Sequence, residues 1–154
     1  MTLNRHTLIV LAAGGSAALL LAAFAFQHLG GMAPCKLCLW QRWPHGAAIA
    51  LGVFALAVPG RLLPVLGMFA ALITAAIAAY HTGVERGWWE GPSSCTSGDI
   101  SALSTQELMD QIMAAPLVRC DDVPWEMFGL SMASWNGIVA LGLALIWLMA
   151  AWRA

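Results

Sequence analysis

Charge is scarce in this sequence. Only 10% of its 154 residues are Asp, Glu, Lys or Arg, whereas soluble domains carry about a quarter. The formal net charge is -1 and no basic cluster exists, so nucleic acid has no electrostatic footprint here and is excluded as a partner. Acids are absent from most of the chain: all eight (Glu85, Glu90, Asp99, Glu107, Asp110, Asp121, Asp122 and Glu126) fall between residues 82 and 132. No haem, flavin or iron–sulfur motif is visible, and Leu39 stands where a c-type haem attachment needs His. What fills the chain instead is apolar: 60% of residues are hydrophobic, more than so short a chain can bury in a soluble core. Residues 1–154 are therefore read as one integral membrane domain with the lipid bilayer as its solvent.

Four apolar stretches, residues 7–26, 43–58, 62–80 and 135–152, approach the roughly 20 residues that cross a hydrocarbon core. In lipid only a helix satisfies its own backbone. The expected fold is an all-α bundle of four transmembrane helices, over about 7–28, 40–58, 62–81 and 133–152. Arg5 precedes the first stretch as it would in a signal peptide. The stretch is longer than the h-region of about 7–15 residues, however, and Pro34 directly follows the small pair Gly31 and Ala33 that could mimic a cleavage site. It is read as a retained helix. Pro59-Gly60-Arg61 leaves room only for a tight turn, which makes the second and third helices antiparallel. Gly14, Gly15, Ala18 and Ala22 in the first helix, and Ala71, Ala75 and Ala79 in the third, are expected on faces where helices approach closely.

Four spans return the chain to its starting side, so the loops over about 29–39 and 82–132 share one side of the membrane. Within the long loop, Ser104-Thr105-Gln106-Glu107 fits a capping box. Leu108, Met109, Ile112 and Met113 then share a helical face before Pro116, predicting a short amphipathic helix on the membrane surface. Charge does not orient the bundle, because Arg5, Arg61 and Arg153 face Lys36, Arg42, Arg86 and Arg119 across the bilayer.

All four cysteines lie outside the spans, at that shared side: Cys35, Cys38, Cys95 and Cys120. Structural cysteines in a bundle are more often scattered and buried. Cys35-Lys36-Leu37-Cys38 is a C-x-x-C at the mouth of the second helix, a spacing that lets two sulfurs close a small, reducible ring. Zinc sites use the same spacing, but a four-cysteine site needs all the thiolates to converge, and Cys95 and Cys120 are 25 residues apart. Two structural disulfides on an oxidising face are a further reading, although a C-x-x-C in so short a loop staples almost nothing. Arg42 follows Cys38 by four residues and projects from the same helical face. It favours a thiolate there and can hydrogen-bond a quinone carbonyl; equally, it can be an interfacial anchor beside Trp40 and Trp43. Pro44 in the first helical turn would leave residues 38–42 outside regular helix. His81 ends the third stretch on the cysteine side, as an interfacial residue or a donor to a quinone oxygen. His6, His28 and His45 carry no specific role.

The run Cys35-Lys36-Leu37-Cys38-Leu39-Trp40-Gln41-Arg42 resembles the bacterial disulfide-bond formation protein B family, DsbB, and the resemblance covers nearly the whole chain. His81-Thr82-Gly83-Val84-Glu85, then Gly87-Trp88-Trp89 and Cys95, is similar to one branch of it, as is Val123-Pro124-Trp125 before Phe128-Gly129-Leu130-Ser131-Met132. The resemblance implies a protein dithiol oxidoreductase of the bacterial inner membrane, with both termini cytoplasmic and both cysteine loops periplasmic. It implies that Cys35 and Cys38 form the quinone-linked pair, with Cys38 nearest the quinone and Arg42 and His81 at the quinone site. Cys95 and Cys120 become the shuttle pair, with Cys95 taking a mixed disulfide with a periplasmic DsbA-like thiol oxidase of thioredoxin fold. Electrons then pass to ubiquinone or menaquinone. Some members carry Glu where this chain has Gln41. The nearest rival, a vitamin K epoxide reductase-like enzyme, places its C-x-x-C late in the chain, whereas here it precedes helix two. A metal-binding or structural membrane protein is the other, and stoichiometric zinc would identify it.

Overall fold

The structure, a computed structural model, describes residues 4–95, 104–114 and 118–153. In chain order it contains α1 (Arg5–His28), α2 (Lys36–Ala57), α3 (Leu62–Glu85), α4 (Thr105–Ala114), β1 (Glu126–Met127), β2 (Leu130–Ser131) and α5 (Met132–Trp152). The four long helices form a square in which α1 and α3 each pack against both α2 and α5. Helices α1, α3 and α5 are long and apolar enough to cross a membrane. Helix α2 is equally long, at 22 residues, but carries Lys36, Gln41, Arg42 and His45 in its first half.

Side chains fix most of the starts. Asn4 caps α1 by accepting from the Thr7 N–H at 2.8 Å, and Ser131 caps α5 by accepting from the Ser134 N–H at 3.2 Å. Cys35 caps α2, its sulfur accepting from the Cys38 N–H at 3.1 Å. That cap starts α2 at Lys36, four residues before the expected 40, so Cys38 lies inside the helix. Pro44 does not disturb residues 38–42, which are helical; Thr74 Oγ1 donates across to the Gln41 backbone carbonyl at 3.0 Å. Helix α3 runs to Glu85 rather than 81, because Val84 is buried among the cysteines and the Arg86 N–H donates to the Thr82 carbonyl at 3.0 Å. His81 and Glu85 are thereby helical, one turn apart on one face.

The small-residue stripe expected on the first helix faces outward: Gly14, Ala18 and Ala22 are exposed, while Leu8, Ile9, Ala12 and Ser16 face the core. Gly15 does meet α5, at Leu143. In α3, Ala71 and Ala75 are buried as expected, but the 3.6-residue period carries the buried face to Ala78 and leaves Ala79 exposed. Helix α4 begins after Ser104, as the capping box predicts; Pro116 lies outside the described residues.

An unforeseen hairpin precedes α5. Strand β1 pairs antiparallel with β2, and Phe128 and Gly129 between them both have positive φ, 55° and 72°, the signature of a tight two-residue turn. Arg86 Nη2 donates to the Gly129 carbonyl at 2.8 Å and Trp135 Nε1 to the Met127 carbonyl at 3.1 Å, tying the hairpin to α3 and α5. The apolar core sits at the opposite end of the bundle. There Trp147 is fully buried among Leu8, Ile9, Ala12, Ala55, Ala71, Leu143, Ala144 and Ala150. Arg5 closes that end by donating to the Val58 carbonyl at 3.0 Å.

Candidate redox site

Both cysteine pairs lie at one end of the bundle, in a single apolar cluster. Cys35, Leu37, Val84, Cys95 and Cys120 pack together, with Cys38 and Val118 against them. Cys95 and Cys120 form a disulfide with Cα atoms 5.3 Å apart, and the Cys120 N–H donates to the Cys95 carbonyl at 2.6 Å. Both are covered, at 1% and 0% exposure. Lys36 Nζ donates to Ser94 Oγ at 2.8 Å, fastening the short loop to the long one beside Cys95.

Cys35 and Cys38 are free thiols with their sulfurs 2.7 Å apart, Cys35 donating to Cys38. The Cys38 sulfur, and then burial, push the Cys35 thiol well above the ordinary thiol range. Cys38 lies on the opening turn of α2, where the helix N-terminus favours negative charge.

Beside the pair, α1, α2, α3 and α5 part around a cavity of about 360 Å3. Its wall is mainly apolar, including Leu19, Phe26, Met32, Trp135 and Val139, and its polar edge holds Cys35, Cys38, Gln41, Arg42, His81 and Glu85. Arg42 Nη1 donates to Gln27 Oε1 at 2.7 Å, and its guanidinium lies 4.9 Å from the Phe24 ring centre. Two groups on α1 thus hold the arginine, and it lines the cavity rather than reaching outward as an anchor. His81 stands between the cysteine pairs. Its Nε2 is 3.6 Å from Cys35 Sγ and 3.8 Å from Glu85 Oε1, and its Nδ1 is 2.9 Å from Gln41 Nε2. Ser131 Oγ in turn donates a short hydrogen bond to Glu85.

Cys35, Cys38 and His81 offer three donor atoms within 4.8 Å of one another. The Arg42 guanidinium lines the same space.

The six candidate site residues, Cys35, Cys38, Arg42, His81, Cys95 and Cys120, all lie at one end of the bundle, in or next to the cavity and the cysteine cluster. Sequence reasoning missed Gln27, His45, Thr74, Glu85, Ser131 and Asn136. The signal for most of them was a polar residue inside an apolar helix, which rarely occurs without a partner or a function.

The fold and site define a membrane-type helical bundle built around a buried dithiol, a neighbouring disulfide and an apolar cavity. The profile of the family described as Disulfide bond formation protein DsbB matches residues 5–150. A Disulfide bond formation protein B of Stutzerimonas stutzeri is 32% identical over 92% of this chain and 91% of its own length. One of Methylococcus capsulatus is 35% identical over 90% and 88%, and the uncharacterized protein RP370 of Rickettsia prowazekii is 26% identical over 74% and 69%. No solved structure matches the chain. The chain belongs to the DsbB family of disulfide bond formation proteins, which makes it a disulfide oxidoreductase with multi-pass membrane character.

Proposed function

We propose that this protein reoxidises a periplasmic DsbA-like thiol oxidase and passes the electrons through its two cysteine pairs to membrane ubiquinone or menaquinone. The observation that carries the reading is the single cluster joining Cys95–Cys120 to Cys35–Cys38 at the mouth of an apolar cavity. In this reading α2 is the fourth span of a single domain, the termini are cytoplasmic, and the cysteine end faces the periplasm of the bacterial inner membrane, with α4 lying at the membrane surface.

A reduced partner thiolate attacks Cys95, releasing Cys120. Cys120, now a thiolate, lies in the same cluster as the inner pair and attacks that pair in its disulfide form, making a disulfide between the loops. The partner's second thiol then leaves with the first as a disulfide, and the freed Cys95 thiolate re-forms Cys95–Cys120, releasing both inner cysteines reduced. The electrons then rest on the inner dithiol, with the negative charge on Cys38. A quinone fits the space beside it: an apolar ring matches the wall, and the polar edge gathers at one side. Cys38, Arg42 and His81 would hold it, and when bound it supplies an acceptor for two electrons and two protons. Arg42, oriented by Gln27 and Phe24, presents fixed positive charge where negative charge gathers. The apolar lining keeps water from the thiolate.

The test is partner-dependent quinone reduction by purified protein, followed by quinone absorbance with a reduced thioredoxin-fold oxidase as donor. One quinone reduced per partner disulfide formed is expected. Partner oxidation without quinone loss, or stoichiometric zinc in the protein as isolated, would overturn the proposal.

A further inference from the structure

Between α2, α3 and α5, buried polar side chains form an unbroken chain that ends on the dithiol. His45 Nε2 is 2.9 Å from Asn136 Oδ1, Asn136 Nδ2 donates to Gln41 Oε1 at 2.7 Å, and Gln41 Nε2 is 2.9 Å from His81 Nδ1. His81 Nε2 then lies 3.6 Å from Cys35 Sγ. Such a chain has a direction, because each carboxamide donates on one side and accepts on the other. Either all donors point towards Cys35, or all point towards His45.

Two observations select the first direction. Thr74 commits its hydroxyl proton to the Gln41 carbonyl at 3.0 Å, so towards Asn136 Nδ2, 3.4 Å away, its oxygen can only accept. Among the described residues, His45 Nδ1 is buried without a partner. With donors pointing towards Cys35 this atom is a bare lone pair; in the reverse direction it would be an orphaned N–H, the rarer and costlier burial.

We propose that the Asn136–Gln41 carboxamide pair, backed by His45, fixes the tautomer of His81 and holds its proton on Nε2, against the Cys35 sulfur. The consequence rests on the redox reading of Cys35–Cys38 given above. His81 is then a donor, available to a Cys35 thiolate or to another acceptor in the cavity, and not a base that removes the thiol proton. Gln41 and Asn136 are positioning residues that touch no reacting atom. Glu at position 41 would accept on both sides, forcing the His81 proton onto Nδ1 and turning the Nε2 lone pair towards Cys35.

The test uses the full-length reduced protein in detergent, labelled with 15N in histidine, with His81→Gln assigning the resonances. In the wild type the ring shifts should report protonated Nε2 and bare Nδ1. Gln41→Glu, nearly isosteric, should reverse this, and Asn136→Leu should give a mixture of the two forms. Should Asn136→Leu fail to fold, Thr74→Val removes one of the groups that set the direction and should also give a mixture. Oxidation of the dithiol by a short-chain quinone should slow about 10- to 100-fold in Gln41→Glu, the usual loss when a group that orients a histidine is altered. A wild type with its proton on Nδ1, or an unchanged tautomer in Gln41→Glu, overturns the proposal. The tautomer signal needs no quinone, so a switch seen in protein that fails to reduce quinone supports the carboxamide chain and overturns only the function proposed above.

Discussion

Around Trp147 the four long helices close on one another through alanine, leucine and glycine, whereas at the cysteine end the same helices part around a cavity and their buried residues turn polar. Gly52 and Gly67 make the first arrangement possible, since a methyl on Gly67 would stand 2.7 Å from the Trp147 ring and one on Gly52 would stand 2.5 Å from Ala13 Cβ. Gln41, His45, Thr74, His81 and Ser131, all buried, make up the second. Lipid supplies no hydrophobic drive to hold helices together, so close packing must do it. The tight end can therefore carry the fold while the polar end carries chemistry that would be unfavourable elsewhere in the bilayer.

On the proposed relay the largest effects should come from the cysteines, whose two pairs would have different tasks. With Cys35→Ser and Cys38→Ser together, Cys95–Cys120 should oxidise one equivalent of partner and then stop, with quinone reduction abolished. With Cys95→Ser and Cys120→Ser, the inner pair should still be reoxidised by quinone after chemical reduction, but the partner should reduce it very slowly. Single-turnover exchange, followed separately from quinone absorbance, distinguishes them. Sustained turnover of the first variant would mean that the loop pair reaches quinone directly.

Arg42 tests whether the cavity wall is specific. Replacing it with Ala or Lys removes the guanidinium fork and with it a hydrogen bond to a charged group, which contributes about 1.5–3 kcal/mol. The apparent quinone affinity should fall roughly 10- to 100-fold, while single-turnover exchange with the partner stays close to wild type. Unchanged quinone kinetics in Arg42→Ala would return the residue to an interfacial role.

How legible each end was in the sequence follows from the kind of signal it carries. The long helices are visible because lipid demands long apolar runs, and the C-x-x-C and Arg42 are visible because their spacing is local. The depth of α2 was not, since its start depends on a cysteine sulfur serving as the cap. The inward face of α1 was misjudged, because a stripe of small residues looks the same whether it meets a helix or lipid; what decides is which face carries Leu8 and Ile9. Asn136 and His45 stand 91 residues apart in sequence, and no spacing rule connects them. Each could only be noted as a polar residue in an apolar run.

At the tight end, Gly67→Ala should destabilise the detergent-solubilised protein by about 1–3 kcal/mol, the usual cost of overpacking, because Trp147 is fully buried and has nowhere to go. Gly14→Ala is the control. Among the described residues nothing lies within 4 Å of a methyl there, so helix propensity alone should make it neutral or up to about 1 kcal/mol stabilising. Unfolding in denaturant measures both. Equal effects would mean that the packing around Trp147 is looser than its burial implies.

The smallest effect is expected where the polar end meets water. Flanking Cys120, Arg119 donates to Asp121 from Nε at 3.0 Å and from Nη2 at 2.6 Å. Those donors hold the Asp121 carboxyl below its ordinary range. A carboxyl depressed in the folded state contributes stability above its unfolded value and loses it as the pH falls through the folded one. The difference in Tm between wild type and Asp121→Asn should therefore be present at neutral pH and vanish in strong acid. It should also be small at neutral pH, because the pair is solvent-exposed and screened, with side-chain exposures of 43% and 28%. Added salt should shrink it further. A large difference that survives high salt would mean that the ion pair holds the loop disulfide in its cluster, making this surface part of the redox end and not merely its edge.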